Sequence, residues 1–114
     1  MANDPRRLGT DFETDVVEYV RSRGLVARRL ARAGRFDQGD IFIDHGSGVI
    51  IECKARRDRK SSLNLGEWLN QAHREAANYA KASDLPGHPT PVLVVKNPGK
   101  PIGKAFVIQY LEDL

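Results

Sequence analysis

Apolar residues along this chain repeat with two different periods. Over residues 10 to 23, Phe12, Val16, Val17, Tyr19 and Val20 recur at helical spacing and Gly24 stops the pattern, which predicts a first helix with Thr10 as its N-cap. Residues 25 to 31 form a strand candidate. Residues 39 to 44 (Gly-Asp-Ile-Phe-Ile-Asp) and 49 to 55 (Val-Ile-Ile-Glu-Cys-Lys-Ala) are stronger strands, and the His45-Gly46-Ser47-Gly48 turn between them predicts a hairpin. Beyond a polar, basic loop at residues 56 to 63, a second helix over residues 65 to 83 carries its apolar stripe on Leu65, Trp68, Leu69, Ala72, Ala76, Tyr79 and Ala80. Pro86, Pro89 and Pro91 break the chain before a buried-type strand over residues 92 to 96, and a last strand follows at residues 104 to 108. The order helix, three strands, helix, two strands predicts an α/β sandwich on a mixed sheet, with no internal repeat.

The hairpin places the informative residues. Side chains alternate along a strand, so Ile50, Glu52 and Lys54 share one face and Val49, Ile51, Cys53 and Ala55 the other, with Glu52 and Lys54 about 7 Å apart. For Ile41 and Ile43 to join Ile51 and Cys53 on the apolar face, even-numbered residues must oppose even-numbered residues. A three-residue loop, His45-Gly46-Ser47, then sets Asp44 opposite Gly48 and Asp40 opposite Glu52, with Gly46 or Gly48 supplying the positive φ such loops need. Opposed carboxylates repel unless something neutralises them, and a divalent cation does so. Two carboxylates and the backbone carbonyl of Cys53 make an all-oxygen site suited to Mg²⁺, with Mn²⁺ as a substitute. Lys54, on the same face, can act on the attacking water or on charge growing at a phosphate. A lone Glu-x-Lys is common and reads as a solvated ion pair. Here the strand is apolar on both faces, and a charged pair at its end is costly without a role.

Two further residues point the same way. Glu13 shares the helical stripe of Val16, Val17 and Val20, which aims it at the sheet, although Thr10-x-x-Glu13 also fits a capping box. Gln71 borders the second helix's stripe, three residues after Trp68, within reach of the site or of a DNA phosphate. His45, His73 and His88 lack metal-ligand spacing, Cys53 faces the core, and no phosphate-cradling Gly-x-x-x-x-Gly-Lys loop is present.

Composition adds a partner. A chain of 114 residues holds one core, so one domain over residues 1 to 114 is expected, and no apolar run approaches the roughly 18 residues that cross a bilayer. The single Cys53 and the absence of a signal-type N-terminus fit a reducing, cytoplasmic setting. The net charge is +3, yet residues 1 to 60 hold 13 of the 18 Lys and Arg, and 12 of the 18 are Arg. They form three clusters: Arg6 and Arg7; Arg28, Arg29, Arg32 and Arg35; and Arg56, Arg57, Arg59 and Lys60. Each cluster alone is as consistent with a solvated surface as with phosphate binding, and three together favour DNA.

Glu13 in a first helix, then Gly39-Asp40, eleven residues, Glu52-Cys53-Lys54, and then Gln71 resembles the PD-(D/E)xK nuclease superfamily. The short length and the Arg-Arg before the first helix look most like its archaeal-type and phage Holliday junction resolvases, with the match covering residues 6 to 110. The resemblance implies a restriction-endonuclease-like αβββαβ core, two metal ions, and a homodimer that cuts two strands of a four-way junction. It makes Asp40 and Glu52 metal ligands, Lys54 the catalytic lysine and Glu13 an additional acid near the metal. Gly39 stands where the motif often has Pro. Asp37 is a second acid near the motif, and Asp40 is preferred because it begins a strand. The same core serves RecB-like and restriction-type enzymes acting on linear DNA, and a non-catalytic DNA-binding module would keep the fold and use only the Arg clusters.

Overall fold

The computed structural model describes residues 5–31, 37–58, 60 and 62–114. Helix α1 spans Pro5–Ser22, and strands β1 (Val26–Arg29), β2 (Ile41–Asp44) and β3 (Val49–Lys54) follow. Helix α2 (Leu65–Ala82), β4 (Thr90–Val95) and β5 (Phe106–Ile108) complete the order, with short 3₁₀ turns at Ile102–Lys104 and Leu111–Asp113. The five strands form one sheet in sequence order, antiparallel except where β3 and β4 run parallel. The α/β architecture expected from the sequence is the one observed.

Alternation in the strands divides the core between the two faces. Ile41, Ile43, Ile51, Cys53 and Val94 pack against Phe12, Val16 and Val17 of α1. On the opposite face, Ile50 and Phe42 meet Ala76 and Tyr79 of α2, while Leu93 and Val95 meet Leu69. Ile41, Ile50, Leu93 and Val95 are completely buried, so the middle of the sheet is dry on both sides.

The hairpin has the register that the alternation demands. Ile41 pairs with Ile51, Phe42 with Ile50 and Ile43 with Val49. The paired residues end at Ile41 and Ile51, and beyond them the Asp40 N–H donates to the same Ile51 carbonyl, so Asp40 steps out of the regular ladder and is not paired directly with Glu52 as the alternation predicted. Both loop glycines are left-handed, Gly46 at φ 60° and Gly48 at φ 100°.

Two element starts differ from the sequence expectation. Helix α1 begins at Pro5, so Thr10 lies inside the helix and neither caps it nor forms a capping box with Glu13. Strand β4 starts at Thr90 and passes through Pro91. The Thr90 N–H donates to the Gly48 carbonyl at 2.9 Å, so by alternation the Pro91 nitrogen faces the other side, where β5 pairs only from Leu93 onward. No ladder bond is lost there, and proline is tolerated.

Gly39, just before β2, has φ 102°, and a Cβ placed on it would lie 2.6 Å from Ile50 Cγ2 and 3.4 Å from the Ile51 carbonyl. Gly46 has a positive φ but open space around it. Gly39→Ala is therefore expected to cost about 2–3 kcal/mol, from strain plus collision, and Gly46→Ala about 1 kcal/mol, from φ alone. Urea midpoints at constant slope measure both, and equal costs would refute the steric account of Gly39.

Candidate active site

The end of the sheet where β2 begins and β3 finishes collects the acidic residues. Glu13, Asp40, Glu52 and Glu75 are all buried, at 7%, 8%, 5% and 3% exposure. Asp40 is pinned by its backbone: its N–H donates to the Ile51 carbonyl at 2.9 Å and its carbonyl accepts from Leu30 N–H at 2.9 Å. Its Oδ2 accepts the Cys53 N–H at 2.7 Å. Glu52 projects from β3 toward α2, and Lys54 Nζ lies 3.2 Å from its Oε2. From α2, Gln71 Oε1 accepts from Lys54 Nζ at 2.8 Å while Gln71 Nε2 donates to Glu52 Oε2 at 3.2 Å. The Lys54 ammonium also lies 5.8 Å from the Trp68 ring centroid.

Burial sets the electrostatics. Desolvation, then repulsion from Glu52, raises the Asp40 carboxyl to about 8, against the pull of the Cys53 N–H. Desolvation, then a hydrogen bond and repulsion from Glu75, raises Glu52 to about 8, against the pull of Lys54. Asp40, Glu52 and Glu75 thus lie close enough to raise one another's affinity for protons. Glu75 is likewise raised, first by desolvation. Its Oε1 has no hydrogen-bond partner, a cost of about 1–3 kcal/mol for a buried polar atom.

The sequence-derived candidates divide unevenly around this point. Asp40, Glu52, Lys54 and Gln71 come together, and Asp37, half-buried, instead accepts from Gly39 N–H at 3.4 Å. Glu13 points inward as its stripe predicted, but its Oε1 is held by Arg29 at 2.7 Å, and it reaches Asp40 by charge. The Cys53 thiol lies in the α1-side core, which pushes its pKa up, so only its backbone faces the acids. Among the described residues, no group of three or more His, Cys, Asp and Glu side chains could hold a metal ion by itself. His73 pairs with Asp113 at 2.8 Å, away from this site.

The basic clusters are partly spent inside the fold. Arg28 donates to the Tyr79 hydroxyl at 2.8 Å and lies 5.2 Å from the Phe42 ring centroid, beside a Phe42–Tyr79 stack. Arg29 holds Glu13 and donates to Thr14. Arg56 donates to the Lys96 carbonyl. Arg6, Arg7, Arg28, Arg29, Arg57 and Lys60 are nonetheless exposed, while Arg32, Arg35 and Arg59 lie outside the described residues.

Glu75 was missed by sequence reasoning. Its signal was present: Trp68, Ala72, Glu75 and Tyr79 follow a 4-3-4 spacing, which puts Glu75 on the buried stripe. A cavity of about 270 Å³ between α1 and the sheet, lined by Val16, Val20, Ile51, Val94 and Ile102 among others, is apolar and offers no comparable chemistry.

Neither a protein-family profile nor a curated protein matches this chain in sequence. Among solved structures, it is similar to Archaeoglobus fulgidus Hjc, a Holliday junction resolvase from an archaeal hyperthermophile, with a TM-score of 0.56 and 23% identity over 89% of this chain and 88% of that one. The chain thus has the α/β fold of an archaeal Holliday junction resolvase, the core that its motif resemblance implied.

Proposed function

We propose that this chain is a divalent-metal-dependent DNA endonuclease that cleaves branched DNA as a Holliday junction resolvase, with Asp40, Glu52 and Lys54 at the centre of its site. The observation that carries this reading is a convergence of buried acids. Glu13, Asp40, Glu52 and Glu75 gather at one end of the sheet, with Lys54 and Arg29 in contact with them among the described residues. Ionising neighbouring carboxyls with so little water is unfavourable, and a divalent cation bound between them would favour their charged forms.

A divalent cation fits that donor set, since carboxylate and carbonyl oxygens suit Mg²⁺ or Mn²⁺. Asp40, Glu52 and the Cys53 carbonyl would hold it, with Glu13 as an additional acid. When bound, the metal supplies Lewis-acid polarisation of the phosphodiester. The chain's own residues do the rest. Cys53 N–H fixes the Asp40 carboxylate. Lys54, restrained by Glu52 and Gln71, places a positive charge where negative charge grows on the phosphate. Arg6, Arg7, Arg28, Arg29, Arg57 and Lys60 are the exposed members of the clusters among the described residues and suit phosphate contacts along the backbone. Arg32, Arg35 and Arg59 belong to the same set by sequence.

Asp40→Asn, Glu52→Gln and Lys54→Ala are each expected to lower Mg²⁺-dependent cleavage on the order of 10²-fold or more. DNA binding should persist, and Asp40→Asn and Glu52→Gln should not lower the melting temperature. Wild-type rates in these variants, measured on labelled junctions, would show that the site lies elsewhere.

Linkage gives a second expectation. Asp40 and Glu52 are raised from 3.8 and 4.5 to about 8 on folding, so the folded chain keeps protons that the unfolded chain releases. Their contribution is whole below pH 4 and is lost as pH rises to about 8. In chelator, the melting temperature should therefore fall across this window. Mg²⁺ should restore it at pH 8 and do little at pH 5, because it competes with those protons. A Mg²⁺ effect equal at both pH values would dissociate the metal from these carboxyls.

One chain offers one site, whereas resolving a four-way junction takes two symmetric cuts, and two-fold dimers are the commonest source of paired sites. A homodimer that prefers a four-way junction over a linear duplex of the same sequence is expected. Light scattering and competition binding test this, and a monomer cutting both DNAs equally would leave a linear-DNA nuclease of the RecB-like or restriction type.

A further inference from the structure

Gln71 sits between groups of opposite demand. A side-chain amide has one acceptor oxygen and two N–H donors, whereas an ammonium can only donate. Its orientation follows: Oε1 must face Lys54 Nζ, 2.8 Å away, and Nε2 must face the carboxyls. There Nε2 meets Glu52 Oε2 at 3.2 Å and Glu75 Oε2 at 3.1 Å, which uses both of its hydrogens. Gln71 and Glu75 stand one turn apart on α2, so the contact is local and geometrically direct.

Glu75 is otherwise hard to account for. It is 3% exposed, and its second oxygen is the one buried side-chain polar atom without a partner among the described residues. It lies on the buried stripe with Ala72 and Tyr79, and its Cβ is near Gly39. An apolar residue would fill that place without an orphaned oxygen, so packing alone does not call for an acid.

We propose that Glu75 is a positioning residue that acts through Gln71, holding the amide turned so that Lys54 and Glu52 keep one fixed relation. This rests on the nuclease reading above for its consequence in the reaction, though not for its geometry. Without Glu75, one Gln71 N–H loses its acceptor, the amide is held on its donor side by Glu52 alone, and the hold of Gln71 on Lys54 is loosened.

The test uses the full chain with Glu75→Leu, Gln71→Leu, the double variant, and Glu75→Gln, which keeps an acceptor oxygen. In Mg²⁺ and a four-way junction, Glu75→Leu should lower kcat about tenfold with KM and melting temperature held. Glu75→Gln should recover most of the rate. Adding Glu75→Leu to Gln71→Leu should cost nothing further, because one acts through the other. Independently of cleavage, Lys54 should react faster with acetic anhydride in Glu75→Leu than in the wild type, read by peptide mass mapping. Wild-type kcat and wild-type Lys54 labelling in Glu75→Leu, or additive losses in the double variant, would overturn the proposal. Should Glu75→Leu not fold, Glu75→Ala carries the same expectations. If the wild type cuts no DNA, the nuclease reading fails, and Lys54 labelling across the variants still decides the role of Glu75.

Discussion

The arrangement depends on one constraint: a hairpin register that brings the Asp40 carboxyl onto the Cys53 N–H, beside Glu52, at the end of a sheet that is dry on both faces. Ile41 and Ile50, on the interior side of these carboxyls, are fully buried, so the carboxyls have little water over which to spread their charge. Much of what surrounds them reads as a response. The Cys53 N–H is given to Asp40, Lys54 and Gln71 are given to Glu52, and Arg29 crosses from β1 to hold Glu13. A one-residue slip in the hairpin would turn Asp40 away from Glu52 and move Ile41 and Ile43 out of the α1-side core at the same time. Core packing and site geometry are therefore enforced by the same alternation.

That coupling explains what was legible in the sequence. The register could be read because apolar residues on both strands left a single parity of pairing, and an odd loop with glycines satisfied it. Glu13 could be read because it lay on a helical stripe with Val16 and Val17. Glu75 obeys the same rule but was hidden, because a glutamate in a segment rich in alanine and charge looks like a solvated helix face. Its neighbour at one turn, Gln71, was noticed only as a border residue. The start of α1 was obscured for a different reason. Thr10 and Glu13 mimic a capping box, yet the helix runs through both of them, and the same residues suit a helix interior and a helix start.

Basic residues were the least readable from sequence, since a count of arginines does not say which are consumed internally. Arg28 lies against Phe42 and Tyr79, Arg29 neutralises Glu13, and Arg56 closes onto the Lys96 carbonyl. Guanidinium suits all three tasks because it is planar, weakly hydrated and rich in donors, the same qualities that suit it to phosphate. The two uses cannot be separated by composition, only by partners. Arg29 shows how the two uses overlap: it belongs by sequence to a proposed phosphate-binding cluster, is exposed, and is also the counter-ion of Glu13.

Fold likeness at 23% identity establishes architecture, and function has to be argued from the site. The one departure from the motif tests whether the site is compatible with this backbone. Proline is locked near φ −65°, while residue 39 has φ 102°. Any side chain there would also strike Ile50 and approach the stem of Glu75. Glycine lets the chain pass that close to β3 and still turn into β2, which leaves Asp40 with its N–H on Ile51 and its carboxylate on Cys53. The missing proline is thus a requirement of how tightly α2, β2 and β3 converge here, and the aspartate that follows it is held by two hydrogen bonds to β3 without the rigidity a proline would have supplied.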